Sequence, residues 1–300
     1  TKTWDDNNNQ DGIRPDSITV NLLANGQKVD SKEITSADDW SYSFTGLPKN
    51  ESGKAIKYEV SEETVEGYDV KIDGFNITNT HTPETTEVTG TKTWDDNNNQ
   101  DGIRPDSVTV NLLADGIPTG QTAEVNADTD WKYEFTDLPV FEVGSVGKKV
   151  VYTVTEDAVD GYQRTTPADA FDITNTHTPE TTEVTGTKTW DDNNNQDGIR
   201  PDSVTVNLLA DGIPTGQTAE VNADTDWKYE FTDLPVFEVG SVGKKVVYTV
   251  TEDAVDGYQR TTPADAFDIT NTHTPETTEV TGTKTWDDNN NQDGIRPDSI

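Results

Sequence analysis

The chain has 300 residues, with 22 Lys and Arg against 57 Asp and Glu, a formal net charge of −35, and no cysteine or methionine. That acidity repels phosphate backbones and anionic headgroups, which sets aside nucleic acid and membrane-surface partners. The missing cysteine removes disulfides, thiolate metal centres and a cysteine nucleophile, and no apolar run reaches the length of a signal peptide or membrane span.

Hydrophobic residues make up only 30% of the chain, near the composition of disordered proteins at such charge, so periodicity decides whether it folds. The chain is built of repeats. Residues 84–179 recur unchanged as 180–275, residues 1–83 are a diverged copy lacking the start of the unit, and residues 276–300 begin a fourth copy. The expected domains are therefore 1–83, 84–179 and 180–275, with 276–300 an incomplete fourth. Such a unit is too long for a solenoid repeat and suits one small domain. Without a starting methionine, the chain reads as an internal piece of a longer protein. Residues 176–183, rich in threonine and marked by Pro179, form a short linker without glycine. It should hold neighbouring repeats at restricted angles, as in a semi-stiff rod.

Within residues 84–179 the dominant period is two, and no stretch sustains a helical one. Strands are expected near 87–94, 106–114, 121–126, 131–136, 148–156, 161–166 and 170–176, about seven, as in a small all-β sandwich. In the second, Val108, Val110 and Leu112 alternate with Thr109 and Asn111, and the dipeptide Asp115, Gly116 supplies a hairpin turn. In the fourth, Trp131, Tyr133 and Phe135 alternate with Lys132 and Glu134 before Leu138 and Pro139. In the fifth, Val150, Tyr152 and Val154 alternate with Val151 and Thr153, and Asp160 and Gly161 mark the next turn.

The same alternation exposes three anomalies. Val88, Gly90, Lys92 and Trp94 share one face, as do Tyr152, Val154 and Glu156, and Phe171, Ile173 and Asn175. A lysine, a glutamate and an asparagine are thus placed inward in one small domain. Burying such groups singly is costly, which suggests that they meet. The residues alone leave two readings open: a buried Lys–Glu pair with Asn capping a strand end, or three wet groups at frayed ends.

The segments Thr91-Lys92-Thr93-Trp94-Asp95-Asp96, Tyr152-Thr153-Val154-Thr155-Glu156, Asp160-Gly161-Tyr162 and Ile173-Thr174-Asn175-Thr176 resemble the B-type repeat of collagen-adhesin-like proteins, the Cna B-type domain. The resemblance covers every copy in the right order. It implies tandem prealbumin-like or inverse immunoglobulin-like sandwiches of the kind that form stalks of Gram-positive surface adhesins and pilins. It also implies a self-formed amide between a first-strand lysine and a last-strand asparagine, assisted by a buried acid. Carried over by position, these are Lys92, Asn175 and Glu156; Lys188, Asn271 and Glu252; and Lys2, Asn79 and Glu62. The fourth copy has Lys284 without the other two. An apolar site would lower the lysine pKa and raise that of the glutamate, freeing the amine to attack the carboxamide while the acid shuttles protons. The reaction happens once per domain, so the chain is not an enzyme.

The stretch from Asp95 to Gly102 invites a calcium reading, with oxygen side chains at alternate positions as in an EF-hand loop. The frame fails where Val108 stands in place of the bidentate glutamate, and the favoured reading is a polar connection that bonds its own backbone. No cofactor or metal is expected. His81, His177 and His273 stand alone in linkers, one per domain. The leading function is a structural spacer of an extracellular, cell-wall-anchored adhesin whose signal and sorting sequences lie outside this window. Its partners are neighbouring repeats of the same chain, and a host matrix ligand is gripped elsewhere. The alternative is a repeated module that itself binds a host extracellular-matrix protein or glycan.

Overall fold

The computed structural model describes residues 1–300 and resolves them into two compact units, residues 1–99 with 103–178, and residues 100–102 with 179–300. In the first unit, residues 84–179 form the seven expected strands. Four make one sheet in the order Lys132–Pro139, Thr85–Asp95, Ile173–Thr176, Gln163–Arg164; three make the other, in the order Ile117–Asn126, Ser107–Ala114, Tyr152–Glu156. First and last strands lie side by side and parallel, with Lys92 opposite Ile173 and Trp94 opposite Asn175. The inward faces of both sheets close on Val110, Leu112, Val125, Phe135, Val154 and Ile173, with Trp94, Trp131 and Tyr152 packed at the margin. The second unit repeats this arrangement in residues 180–275. The protein is all-β, built of tandem small sandwiches of prealbumin-like type.

Several boundaries differ from expectation for physical reasons. Asp115 and Gly116 both take positive φ, 51° and 79°, the geometry of the tight turn that matches strand twist. Pairing therefore begins at once, Ala114 with Ile117, rather than at residue 121. Residues 148–151 leave the fifth strand because Lys149 bridges Phe141 in a side hairpin. The expected linker is shorter than drawn, since the strand Thr181–Asp191 takes up its last three residues. Phe171, assigned inward by parity, lies outside any strand and is 36% exposed. Its backbone carbonyl accepts a hydrogen bond from the Tyr133 hydroxyl instead.

The first repeat keeps a three-stranded sheet, Gln27–Thr35, Ser17–Ala24, Tyr58–Glu62, and a second made of Lys2–Asp5, Asn76–Thr80 and Asp69–Asp73. Residues 41–49 form no strand there. Their counterpart Lys132–Pro139 pairs with residues 85–91, of which the first repeat holds only Thr1. Tyr42 and Phe44 consequently border the core rather than fill it. Residues 276–300, the incomplete fourth copy, hold no strand, because the strands they would pair with are absent. Val280, Ile295 and Ile300 are 93%, 84% and 84% exposed.

Gly90 has a specific reason to be glycine. It pairs with Tyr133, and a Cβ there would sit 2.4 Å from the Phe171 carbonyl oxygen and 2.5 Å from the Tyr133 hydroxyl. Gly90→Ala should expel the tyrosine ring and cost about 1–3 kcal/mol, as overpacking does; an unchanged unfolding midpoint would refute this. Amides of residues 284–300, apart from the loop-bonded Asn291, Gly294 and Arg296, should exchange at nearly unprotected rates, and strong protection across that stretch would show a strand that the structure lacks.

Candidate functional site

Parallel register places Lys92 and Asn175 on the same inward face, one diagonal step apart on adjacent strands. Glu156 comes from the opposite sheet, where it pairs with Val110. The three therefore meet across the core rather than along one strand. Lys92 and Asn175 are each 2% exposed, and Lys92 Nζ lies 3.8 Å from Glu156 Oε2. The other copies agree, with Lys2 Nζ to Glu62 Oε1 at 3.8 Å and Lys188 Nζ to Glu252 Oε2 at 3.7 Å. The frayed-end reading is thereby removed, because the lysine and asparagine are core residues.

The polar accounting is incomplete in a consistent way. Each lysine amine donates to a backbone carbonyl, Lys92 Nζ to Thr93 O at 3.1 Å and Lys188 Nζ to Thr189 O at 3.2 Å. One oxygen of each glutamate and the carboxamide oxygen of Asn79, Asn175 and Asn271 are buried without a hydrogen bond. Unsatisfied buried groups cost about 1–3 kcal/mol each, and the omission recurs in the diverged first repeat as well as in the two identical ones. Burial pulls Lys2, Lys92 and Lys188 down to about 8, against the attraction of their glutamates. In the first repeat burial also raises Glu62, against the pull of Lys2 and Asn79. Both shifts favour a neutral amine beside a neutral acid.

A feature that the sequence reading missed is the aromatic cover. Trp94 shares Lys92's face two residues on, and Lys92 Nζ lies 3.9 Å from its ring centroid. Trp131 and Tyr162 pack edge-on against that ring at 5.3 and 4.8 Å. Parity alone would have found Trp94; the two partners needed tertiary knowledge. The cover keeps water from the amine.

The Asx-rich loop closes on itself. Asn97, Asn98 and Asn99 all take positive φ, a region that asparagine tolerates better than most residues. Asp96 accepts the Asn99 N–H at 2.9 Å, the Tyr162 hydroxyl at 2.7 Å and two guanidinium bonds from Arg104. Burial works to raise Asp96, but these donors hold it at about 2. The oxygens of Asp96 are thus taken by a guanidinium, a hydroxyl and a backbone N–H. No group of three or more His, Asp or Glu side chains is placed to hold a metal ion. The histidines are not alone, however. His81 Nδ1 lies 2.8 Å from the Gly67 carbonyl and Nε2 lies 2.8 Å from Asp11 Oδ2. Both contacts are to acceptors, so only the imidazolium can donate both. Burial opposes that charge, but the bonds to Asp11 and Gly67 prevail and raise the pKa.

A sequence profile of the Cna protein B-type domain matches residues 1–80, 88–176, 184–272 and 280–300. A collagen adhesin of Staphylococcus aureus is 50% identical over 305 residues, spanning 100% of this chain and 25% of that protein. The chain thus spans about a quarter of that relative's length. A crystal structure of two B repeat units (B1B2) of the collagen binding protein of Staphylococcus aureus is 48% identical, covering 99% of this chain and 78% of that one, with a TM-score of 0.55. A single B repeat unit (B1) of the same protein is 45% identical over 64% of this chain and 100% of that one, with a TM-score of 0.30.

A chain with Asn79, Asn175 and Asn271 replaced by alanine tests the environment of Lys2, Lys92 and Lys188. Their folded pKa of about 8 lies below the ordinary 10.5. Between those values the unfolded chain binds more protons, so stability should rise with pH through the lower part of that window. Urea midpoints that stay flat or fall there would mean that the amines titrate normally.

Proposed function

The chain belongs to the Cna B-type domain family, and we propose that its repeats form a spacer stalk of a cell-surface adhesin, each closed by an amide bond between Lys and Asn. The observation that carries the bond is the buried trio: a lysine whose Nζ lies 3.8 Å from a glutamate carboxyl, with one oxygen of that carboxyl and the asparagine carboxamide oxygen lacking a hydrogen bond. A permanent pair would keep a titratable amine in the core, whereas condensation replaces it with a neutral amide. In the reaction the neutral Lys92 amine attacks the Asn175 Cγ. Glu156 hydrogen-bonds the carboxamide oxygen, takes a proton from the amine and returns it to the leaving nitrogen. One C–N bond forms, another breaks, and ammonia departs. Lys188, Glu252 and Asn271 act likewise, as do Lys2, Glu62 and Asn79. Nothing turns over.

The parallel first and last strands support the spacer role. The chain enters each sandwich at one end and leaves at the other, so tension loads that strand pair in shear. A covalent tie between them carries the force past the thin core. It also closes a loop in the unfolded chain, an effect of about 4–5 kcal/mol on the chain-entropy treatment used for disulfides. An extracellular location follows from the same reading, as does a matrix ligand held by regions outside these repeats. A second reading, that the repeats themselves grip host matrix, draws on the relative named a collagen adhesin. Adjacent copies of identical sequence favour spacing, although they could also bind by avidity. A screen of residues 84–179 against matrix proteins and glycans should find nothing specific; micromolar binding would favour the second reading.

Mass decides the crosslink. The intact folded chain should fall short of its sequence mass by one ammonia per complete repeat, three in all. Glu156→Ala should restore one ammonia and lower thermal and protease resistance while keeping the β-sheet signal. A folded wild-type chain at full sequence mass would leave only the buried ion pair.

A further inference from the structure

The loop that bonds its own backbone also reaches the next repeat. In the first unit Gln10, only 2% exposed, donates through Nε2 to the Phe141 carbonyl at 3.0 Å, and its own carbonyl accepts the Gly147 N–H at 2.9 Å. Asn7 orients that side chain by donating to its Oε1 at 3.0 Å. Beside it Asp11 Oδ2 accepts the Glu84 N–H at 2.8 Å, which ties down the chain where it leaves the first repeat. Gly12 and Gly147 touch backbone to backbone: a Cβ on Gly12 would lie 2.8 Å from Gly147 Cα. Within the second unit Gln100 makes the same pair of bonds, to the Phe237 carbonyl at 3.0 Å and from the Gly243 N–H at 2.9 Å.

The receiving hairpin is not common to all repeats. In residues 84–179 it runs from the Phe141–Lys149 bridge through a long turn, with Gly144 and Gly147 both at positive φ. In the first repeat the equivalent strands, Asn50–Glu51 and Lys54–Ala55, close directly through Ser52 and Gly53. Residues 49–57 stand there in place of 140–151, so the segment bearing Gly147 has no counterpart. The first repeat offers a loop but no matching turn. The incomplete fourth copy presents the same tip, Gln292, Asp293 and Gly294.

We infer that the Asx-rich loop is a directional plug, and that its partner is the long glycine turn of a following repeat rather than an ion or a free ligand. Order along the chain is then set by hairpin length. A repeat with the long turn follows another repeat, whereas one with the short turn accepts no such plug. The inference goes beyond the spacer reading and does not require the amide bond.

Because the chain has no cysteine, two can be introduced cleanly for spin labels, at the exposed positions Lys32 and Gln121. Distances between them in the 300-residue protein should form a narrow distribution. Replacing residues 142–148 with the native short turn, residues 51–54, should broaden that distribution about twofold or more, toward the mobility usual for domains sharing a small polar interface. Gly12→Val should do the same from the other side of the contact. The grafted turn already folds in the first repeat, and circular dichroism with the urea midpoint checks that the recipient sandwich survives. A grafted chain that is folded and keeps the wild-type width would overturn the inference, as would a wild-type distribution already broad.

Discussion

Everything in each sandwich is arranged around one parallel strand pair whose inward face carries a lysine and an asparagine. A core this poor in aliphatic residues would ordinarily reject both. It holds them because Glu156 or its equivalents arrive from the opposite sheet and a tryptophan covers the amine. The trio thereby ties together both sheets and the first and last strands. The desolvation that makes the cluster expensive is also what would make it reactive, since burial moves the three lysines, and Glu62 in the first repeat, toward the uncharged form.

The same economy governs the polar connections. Asp96 is buried beside Arg104, Tyr162 and its own backbone, so a charged loop behaves as a rigid part instead of a solvated one. With that shape fixed, Gln10 and Gly12 can be presented to a neighbour at hydrogen-bond precision. The acidic surface is therefore of two kinds. Exposed carboxylates supply net charge and repulsion, whereas the few buried ones fix geometry.

Much of this was legible before any coordinates. Period-two alternation located all seven strands, and the inward parity of Lys92, Glu156 and Asn175 marked the site because a buried polar residue is the informative exception. Parity failed at Phe171, where a strand had not yet begun. Expected strand ends failed where a side hairpin captured residues 148–151, a competition no local rule records. The histidines were misjudged for the same reason: His81 and Asp11 are far apart in the chain, and only the fold makes them neighbours. The role of Gly12 was hidden because its constraint lies in another repeat.

The incomplete fourth copy keeps its Asx loop even with no sandwich around it: Arg296 still bonds Asp288, and Asn291 still caps the turn. Those contacts close over eight residues or fewer, whereas the Lys92 and Asn175 strands must find each other across nearly the whole repeat. Contact order then sets a sequence of events, with the loop early and the first-to-last strand pairing late. Lys92, Glu156 and Asn175 are brought together only at that final step. A repeat bearing the amide would thus be one that had finished folding, and the bond would serve as a chemical record of it.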